Sequence, residues 1–229
     1  MNNNEHFNKS YDCYTSSDWT NLSKSKELSE DFIREFQNRV DWEKISRYQV
    51  LSEDFIREFQ DKVDWEKISE YQILSENFIR EFKYKIDWLL ISYSQELSED
   101  FIREFQDQLD WYNISDREDL SEDFIREFKD RVNWKVISVS QELSEDFIRE
   151  FQDKVDWRKI SYFQFLSEPF VREFQDKIDW NYFFYSNQLS SEFMNEFIDR
   201  VKTDNKDDIH FLLKRRKPRE ARSDSIGWE

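Results

Sequence analysis

One feature governs what this chain can fold into. Leucine recurs at 28, 51, 74, 97, 120, 143, 166 and 189, and tryptophan at 19, 42, 65, 88, 111, 134, 157 and 180, each series advancing by 23 residues without an insertion. Such a period defines a tandem array whose units bury their apolar faces against one another. The unit reads Leu51-Ser52-Glu53-Asp54-Phe55-Ile56-Arg57-Glu58-Phe59-Gln60-Asp61-Lys62-Val63-Asp64-Trp65-Glu66-Lys67-Ile68-Ser69, followed by four variable residues before Leu74.

Within the unit, Leu51, Phe55, Phe59 and Val63 recur at i+4 with Ile56 beside them, a spacing that places them in one stripe on a helix A. Ser52 supplies the N-cap, Glu53 and Asp54 put negative charge in the first turn, and Leu51 is placed to staple onto Ile56. The same grammar repeats at Asp64, with Val63 before it and Ile68 after it, which predicts a second, shorter helix B opening at Trp65. One continuous helix is excluded, because 23 residues at about 100° each leave about 140° of rotation per copy and no common seam. A leucine-rich horseshoe needs alternating leucines and an Asn turn that the unit lacks. Gly227 is the one glycine and Pro169 and Pro218 the two prolines, so hairpins and tight turns have few residues to build them. The expected fold is all-α: an α-solenoid of seven full 23-residue two-helix repeats with degenerate capping units at both ends. Residues 1–27 form an N-terminal segment and half-repeat cap, 28–188 the seven repeats, 189–213 a C-terminal capping repeat and 214–229 a basic tail. In the first cap, Lys9, Ser10, Cys13 and Ser17 stand where the helix A stripe would be; in the last, Thr203 stands where Trp would be.

The unit resembles the tandem Leu-Ser-Glu-Asp-Phe-Ile-Arg-Glu-Phe … Asp-Trp repeat proteins of giant DNA viruses and some large phages. The likeness covers the seven copies and most positions in each. It implies a viral source; it carries no activity and no functional residue.

The near-identity of the copies separates frame positions from free ones. The two residues after Trp run Glu43-Lys44, Glu66-Lys67, Leu89-Leu90, Tyr112-Asn113, Lys135-Val136, Arg158-Lys159 and Asn181-Tyr182. Those after the helix B Ser include Arg47-Tyr48, Tyr93-Ser94 and Tyr162-Phe163, with Tyr185-Ser186 at the matching place near the end, after Phe184. Enrichment in Leu, Tyr and Phe along one ridge fits the core of a protein interface. The partner-binding candidates are therefore Leu89, Leu90, Tyr93, Tyr112, Val136, Tyr162, Phe163, Tyr182 and Tyr185, and the expected function is a non-enzymatic protein-binding scaffold.

Two other readings use the same residues differently. A net charge of −17 with regularly spaced carboxylates suits an acidic decoy that imitates DNA phosphates before a nucleic-acid-binding protein. Lateral self-association would make the array a structural protein. Direct nucleic-acid binding is disfavoured by that charge, and the arginine series at 34, 57, 80, 103, 126, 149 and 172 is better read as helical ion pairs, each Arg lying four residues after a Glu. The tryptophans read as core. His6 and His210 lie outside the array, and there is neither a Gly-rich phosphate loop nor Cys/His metal spacing, so no enzyme, cofactor or metal is expected. A lone Cys13 and the absence of a long apolar run predict an intracellular, cytoplasmic protein without a membrane segment. Lys214, Arg215, Arg216 and Lys217 fit a nuclear-localisation pattern.

Because one copy has nothing to cover its stripe, a synthetic peptide of residues 51–73 is expected to be unfolded. Circular dichroism should show a coil spectrum; a cooperative helical melt would contradict the shared-core reading.

Overall fold

The computed structural model describes residue 11 and residues 13–25, 28–186 and 190–201, with the side chains of 184–186, 191 and 194 outside the described part. Among the described residues there are sixteen α-helices, from α1 (Ser16–Lys24) to α16 (Ser191–Phe197), one 3-10 turn (Ile198–Arg200) and no strand. Six-residue A helices such as Glu53–Glu58 alternate with B helices such as Trp65–Tyr71. The chain divides into two compact units, one ending at Ile114 and the other beginning at Ser115. In the first, the B helices Ser16–Lys24, Trp42–Tyr48, Trp65–Tyr71 and Trp88–Ser94 pack each on the next; in the second, Trp134–Ser140, Trp157–Phe163 and Trp180–Ser186 do the same. Each unit is thus a solenoid-like stack of helix pairs.

The caps form as the sequence predicts. The Ser52 hydroxyl accepts from the Phe55 N–H at 3.2 Å, and the Asp64 carboxylate from the Lys67 N–H at 3.1 Å. Helix A, however, does not carry the whole stripe. It stops at Glu58, Phe59 adopts φ −110°, ψ 27°, and a tight turn returns the N–H groups of Lys62 and Val63 to the Phe59 carbonyl at 2.8 and 3.1 Å. Helix B, with seven residues, is therefore the longer of the two. The turn leaves the Gln60 carbonyl off the ladder, and the Trp65 indole N–H takes it at 2.9 Å. The stripe still converges: Leu51, Phe55, Ile56, Phe59 and Val63 are all buried.

Helices this short leave most backbone groups without an intrahelical partner, and the next copy provides for many of them. The Gln72 carboxamide, at the third of the four positions expected to vary, is buried. Its Oε1 accepts from the Leu51 N–H at 3.0 Å and its Nε2 donates to the Ser46 and Gln49 carbonyls at 2.9 and 2.8 Å. Gln49 and Gln95 in the first unit and Gln164 in the second make the equivalent bonds, Oε1 to the leucine N–H that opens their own copy and Nε2 to a carbonyl of the copy before. The Ser46 hydroxyl donates to its own helix at the Trp42 carbonyl and accepts from the Asp64 N–H of the next copy, at 2.7 and 2.9 Å. Glu53 reaches the next N-cap, accepting from the Ser75 N–H at 2.7 Å. Rings interlock across the same seam: the Trp65 indole lies 4.9 Å from Phe82 and 6.3 Å from Phe78, centroid to centroid.

The array is modified at its ends. Thr15 caps α1 and Asp18 returns the bond, so this helix begins one turn earlier than the other B helices and Asp18 sits inside it. In place of the missing stripe, where Cys13 and Ser17 are exposed, the Tyr11 ring packs against Phe32 and Phe36 at 5.5 and 5.3 Å. At the other end Trp180 stacks on Phe197 at 4.7 Å. The division into units falls within the five-residue helix Trp111–Ser115, and Glu118 stands there at the glutamine position.

Replacing Gln72 with Leu would strand the Leu51 N–H and two carbonyls in a buried seam. At about 1–3 kcal/mol for a buried polar group left unpaired, the variant should lose roughly 2–4 kcal/mol. Urea unfolding should show a lower midpoint at an unchanged slope, while Gln72→Leu at wild-type stability would refute the clamp.

Candidate functional site

The frame consumes most of the charge that might have bound ligands. Arg57 donates to Asp54 and Glu81 at 2.9 and 2.8 Å, has Glu53 at 3.5 Å, and lies over the Phe78 ring at 5.0 Å. Arg34 and Arg80 in the first unit, and Arg126 and Arg149 in the second, likewise bond through Nε to the glutamate of the following copy. These arginines are ion-pair struts, and the phosphate-ladder alternative has no unneutralised guanidinium to stand on at those positions. Among the described residues no group of three His, Cys, Asp or Glu side chains is placed to hold a metal ion, and no helix is long and apolar enough to cross a membrane.

What the frame leaves over is apolar and lies on helix B and the loop after it. In the first unit Leu89 (57 % exposed) and Tyr93 (76 %) are one helical turn apart on Trp88–Ser94, and Leu90 beside them is half-buried. Tyr112 is 59 % exposed on the following helix, and no ring contact joins it to Tyr93. In the second unit Tyr162 and Phe163 are exposed and meet edge to face at 4.7 Å; Tyr162 also meets Tyr182, which is half-buried, at 6.0 Å. Val136 is half-buried and makes no such cluster. The backbone of Tyr185 is described but its side chain is not, and Lys214, Arg215, Arg216 and Lys217 lie outside the described residues, as does most of the expected C-terminal cap.

Sequence reasoning passed over the most exposed apolar residues. Val50 and Ile73, the fourth residues after the helix B Ser, are 95 % and 97 % exposed, and Phe165 holds the same position in the second unit. In the first unit they stand beside Tyr48 and Tyr71, with the Arg47 guanidinium 5.1 Å above the first ring and 4.8 Å above the second. The signal was present: this position alternates among Val50, Ile73 and Phe165 on one hand and Glu96, Asp119 and Glu142 on the other, which no buried position would tolerate. Tyr84, exposed in an A–B turn where its counterparts are Asp61 and Asp107, could have been found the same way.

No protein-family model, no curated protein and no solved structure matches the chain.

Several carboxylates in the frame are held below the ordinary range. At Glu168 the hydrogen bonds from Ser190 are the cause. At Glu76 partial burial pushes upward, but the Ser98 hydrogen bonds and the Arg80 charge outweigh it. At Asp130 the Lys154 ammonium is responsible. A carboxyl whose folded-state value is depressed stabilises the fold fully above its ordinary value and loses that contribution as the pH falls through the folded value. Thermal midpoints should accordingly hold from pH 7 to 5, then drop below the ordinary glutamate value of 4.5. Glu76→Gln should flatten that drop, and a wild-type midpoint that rises below pH 4 would contradict the assignment.

Proposed function

We propose that the chain is a non-enzymatic scaffold that binds a protein partner through the variable surface of its B helices and the loops that follow them. The observation that carries this reading is the exposure of Leu89, Tyr93 and Tyr112 in the first unit, and of Tyr162, Phe163 and Phe165 in the second. Leu89, Tyr93, Tyr112, Tyr162 and Phe165 stand at positions where other copies carry Glu43, Glu66, Glu70 or Glu142, and Phe163 at one where they carry Ser94, Arg117 or Ser140, without loss of the frame. Exposed aromatic and leucine side chains of this kind fit the anchors that dominate protein interfaces. A viral source and an intracellular site of action fit the resemblance of the repeat and the lone cysteine, and the basic run at Lys214–Lys217 suits nuclear import.

One observation favours the acidic-decoy reading. The second residue of helix A, where it is Asp31, Asp54 or Asp100 in the first unit, projects almost wholly into solvent, although Asn77 interrupts the series. The spacing follows the 23-residue period, but each acidic member contacts an arginine three residues on, at 2.9–3.0 Å, which offsets its charge as a phosphate mimic.

Affinity capture from nuclease-treated lysate at low and high salt separates the readings, with the wild-type chain beside a Leu89, Tyr93, Tyr112, Tyr162 and Tyr182 to Ser variant. Capture that persists in high salt and is lost in the variant is the expected result. Capture by both chains that vanishes in high salt would transfer the conclusion to the acidic decoy. Concentration-dependent oligomers without capture would transfer it to self-association.

A further inference from the structure

The geometry points to a docking site in the second unit for an acidic, aromatic-containing peptide segment of a partner protein, with Arg158 receiving a carboxylate and Tyr162 and Phe163 receiving the ring. This rests on the protein-binding reading and adds the chemistry of what is bound.

The first residue after Trp is free to vary, and its charge differs between the units. Glu43 and Glu66 in the first unit are each neutralised by the next residue, Lys44 or Lys67. In the second unit the same positions read Lys135-Val136 and Arg158-Lys159, with no acid beside them. Arg158 is unlike the frame arginines. Its guanidinium lies 4.5 Å above the Tyr182 ring and donates to the Tyr182 hydroxyl, and it has no carboxylate partner among the described residues. A guanidinium held over a ring without a carboxylate retains N–H donors, and its fork matches a carboxylate with two parallel hydrogen bonds.

Arg158 also lines an open cleft of about 510 Å³, shared with Lys177, Trp180, Asn181 and Arg200, a size within the range of small-ligand sites. The acids of the cleft are committed elsewhere: Asp176 pairs with Arg200 at 3.1 Å, and Asp179 accepts from the Asn181 N–H at 3.2 Å to cap its helix. Lys177 is held by Asp153 at 3.3 Å. Among the described residues Arg158 is thus the one cation lining the cleft without an acid, and the Tyr182 ring beneath it joins Tyr162 and Phe163 in one aromatic cluster. One or two acidic groups beside an aromatic side chain satisfy this arrangement, whereas a run of phosphates would meet the repulsion of a chain carrying −17.

The test is fluorescence anisotropy of three dye-labelled probes: the hexapeptide Glu-Tyr-Glu-Glu-Tyr-Glu, its counterpart with Lys for every Glu, and a short single-stranded DNA. Each is titrated to millimolar concentration against the full chain, Arg158→Glu and Tyr182→Ala, with circular dichroism confirming that the variants fold. The acidic peptide should bind the wild-type chain and weaken tenfold or more with Arg158→Glu, while the lysine peptide gains. Tyr182→Ala, which frees Arg158 from its ring, should weaken the acidic peptide less. An acidic peptide that does not bind, binding indifferent to Arg158→Glu, or tighter DNA binding that Arg158→Glu abolishes would each overturn the proposal. If the peptide fails while lysate capture still depends on the exposed B-helix residues, the partner chemistry is wrong and the scaffold reading stands; if both fail, both fall.

Discussion

The structure depends on a backbone problem. A helix of six or seven residues has hardly any interior, since the first four N–H and last four C=O groups of any helix lack an intrahelical partner. An array of such helices would leave a large number of polar groups in or near the core, where an unpaired one is costly. The 23-residue period solves this by making each copy the capping device of its neighbour. Gln72 closes the loop before Leu51, Ser46 receives the N–H of Asp64, and Glu53 receives that of Ser75. The apolar stripe and the Trp–Phe contacts then supply the driving force across a seam whose polar groups are already matched.

This explains why the helices were legible and their lengths were not. Caps are local: Ser52 and Asp64 announce themselves by residue type and by the apolar residues around them, and both helices start where those signals say. The end of helix A is not local. Phe59 and Val63 keep helical spacing with Phe55, yet the chain turns at Phe59, and the Trp65 indole satisfies the Gln60 carbonyl that the turn releases. No pattern of hydrophobicity encodes that bond. Gln72 shows a different failure, of attention rather than information: the residue recurs as Gln49, Gln95, Gln141 and Gln164, but a polar side chain in a loop reads as solvated until its partners in the preceding copy are seen.

The candidate surface was half legible for a related reason. Copy-to-copy variation marked Leu89, Tyr93, Tyr112, Tyr162 and Phe163, which are exposed, but it also marked Leu90, Val136 and Tyr182, which are half-buried. Variation shows that a position is not fixed by the frame; it does not show which way the side chain faces, since neighbouring positions on a helix point about 100° apart. The same comparison would have reached Val50 and Ile73 had the loop position been counted with the helix. Frame and surface divide the chemistry between them: the repeated arginines and glutamates are spent on one another, and what remains to meet another molecule is the short list of residues in which the copies disagree.

The bonds that join the copies span 18 to 26 residues and fall in the same register at each seam where they form. A deletion or insertion of one or two residues inside the array would put every cap on its far side out of step. The loss or gain of a whole unit that carries the glutamine would change little but the length, because the donors and acceptors such copies present suit one another. The gene for such a chain is therefore free to recombine between its own repeats, growing or shrinking by unit, and a newly duplicated copy arrives already folded, with its handful of unconstrained residues open to diverge.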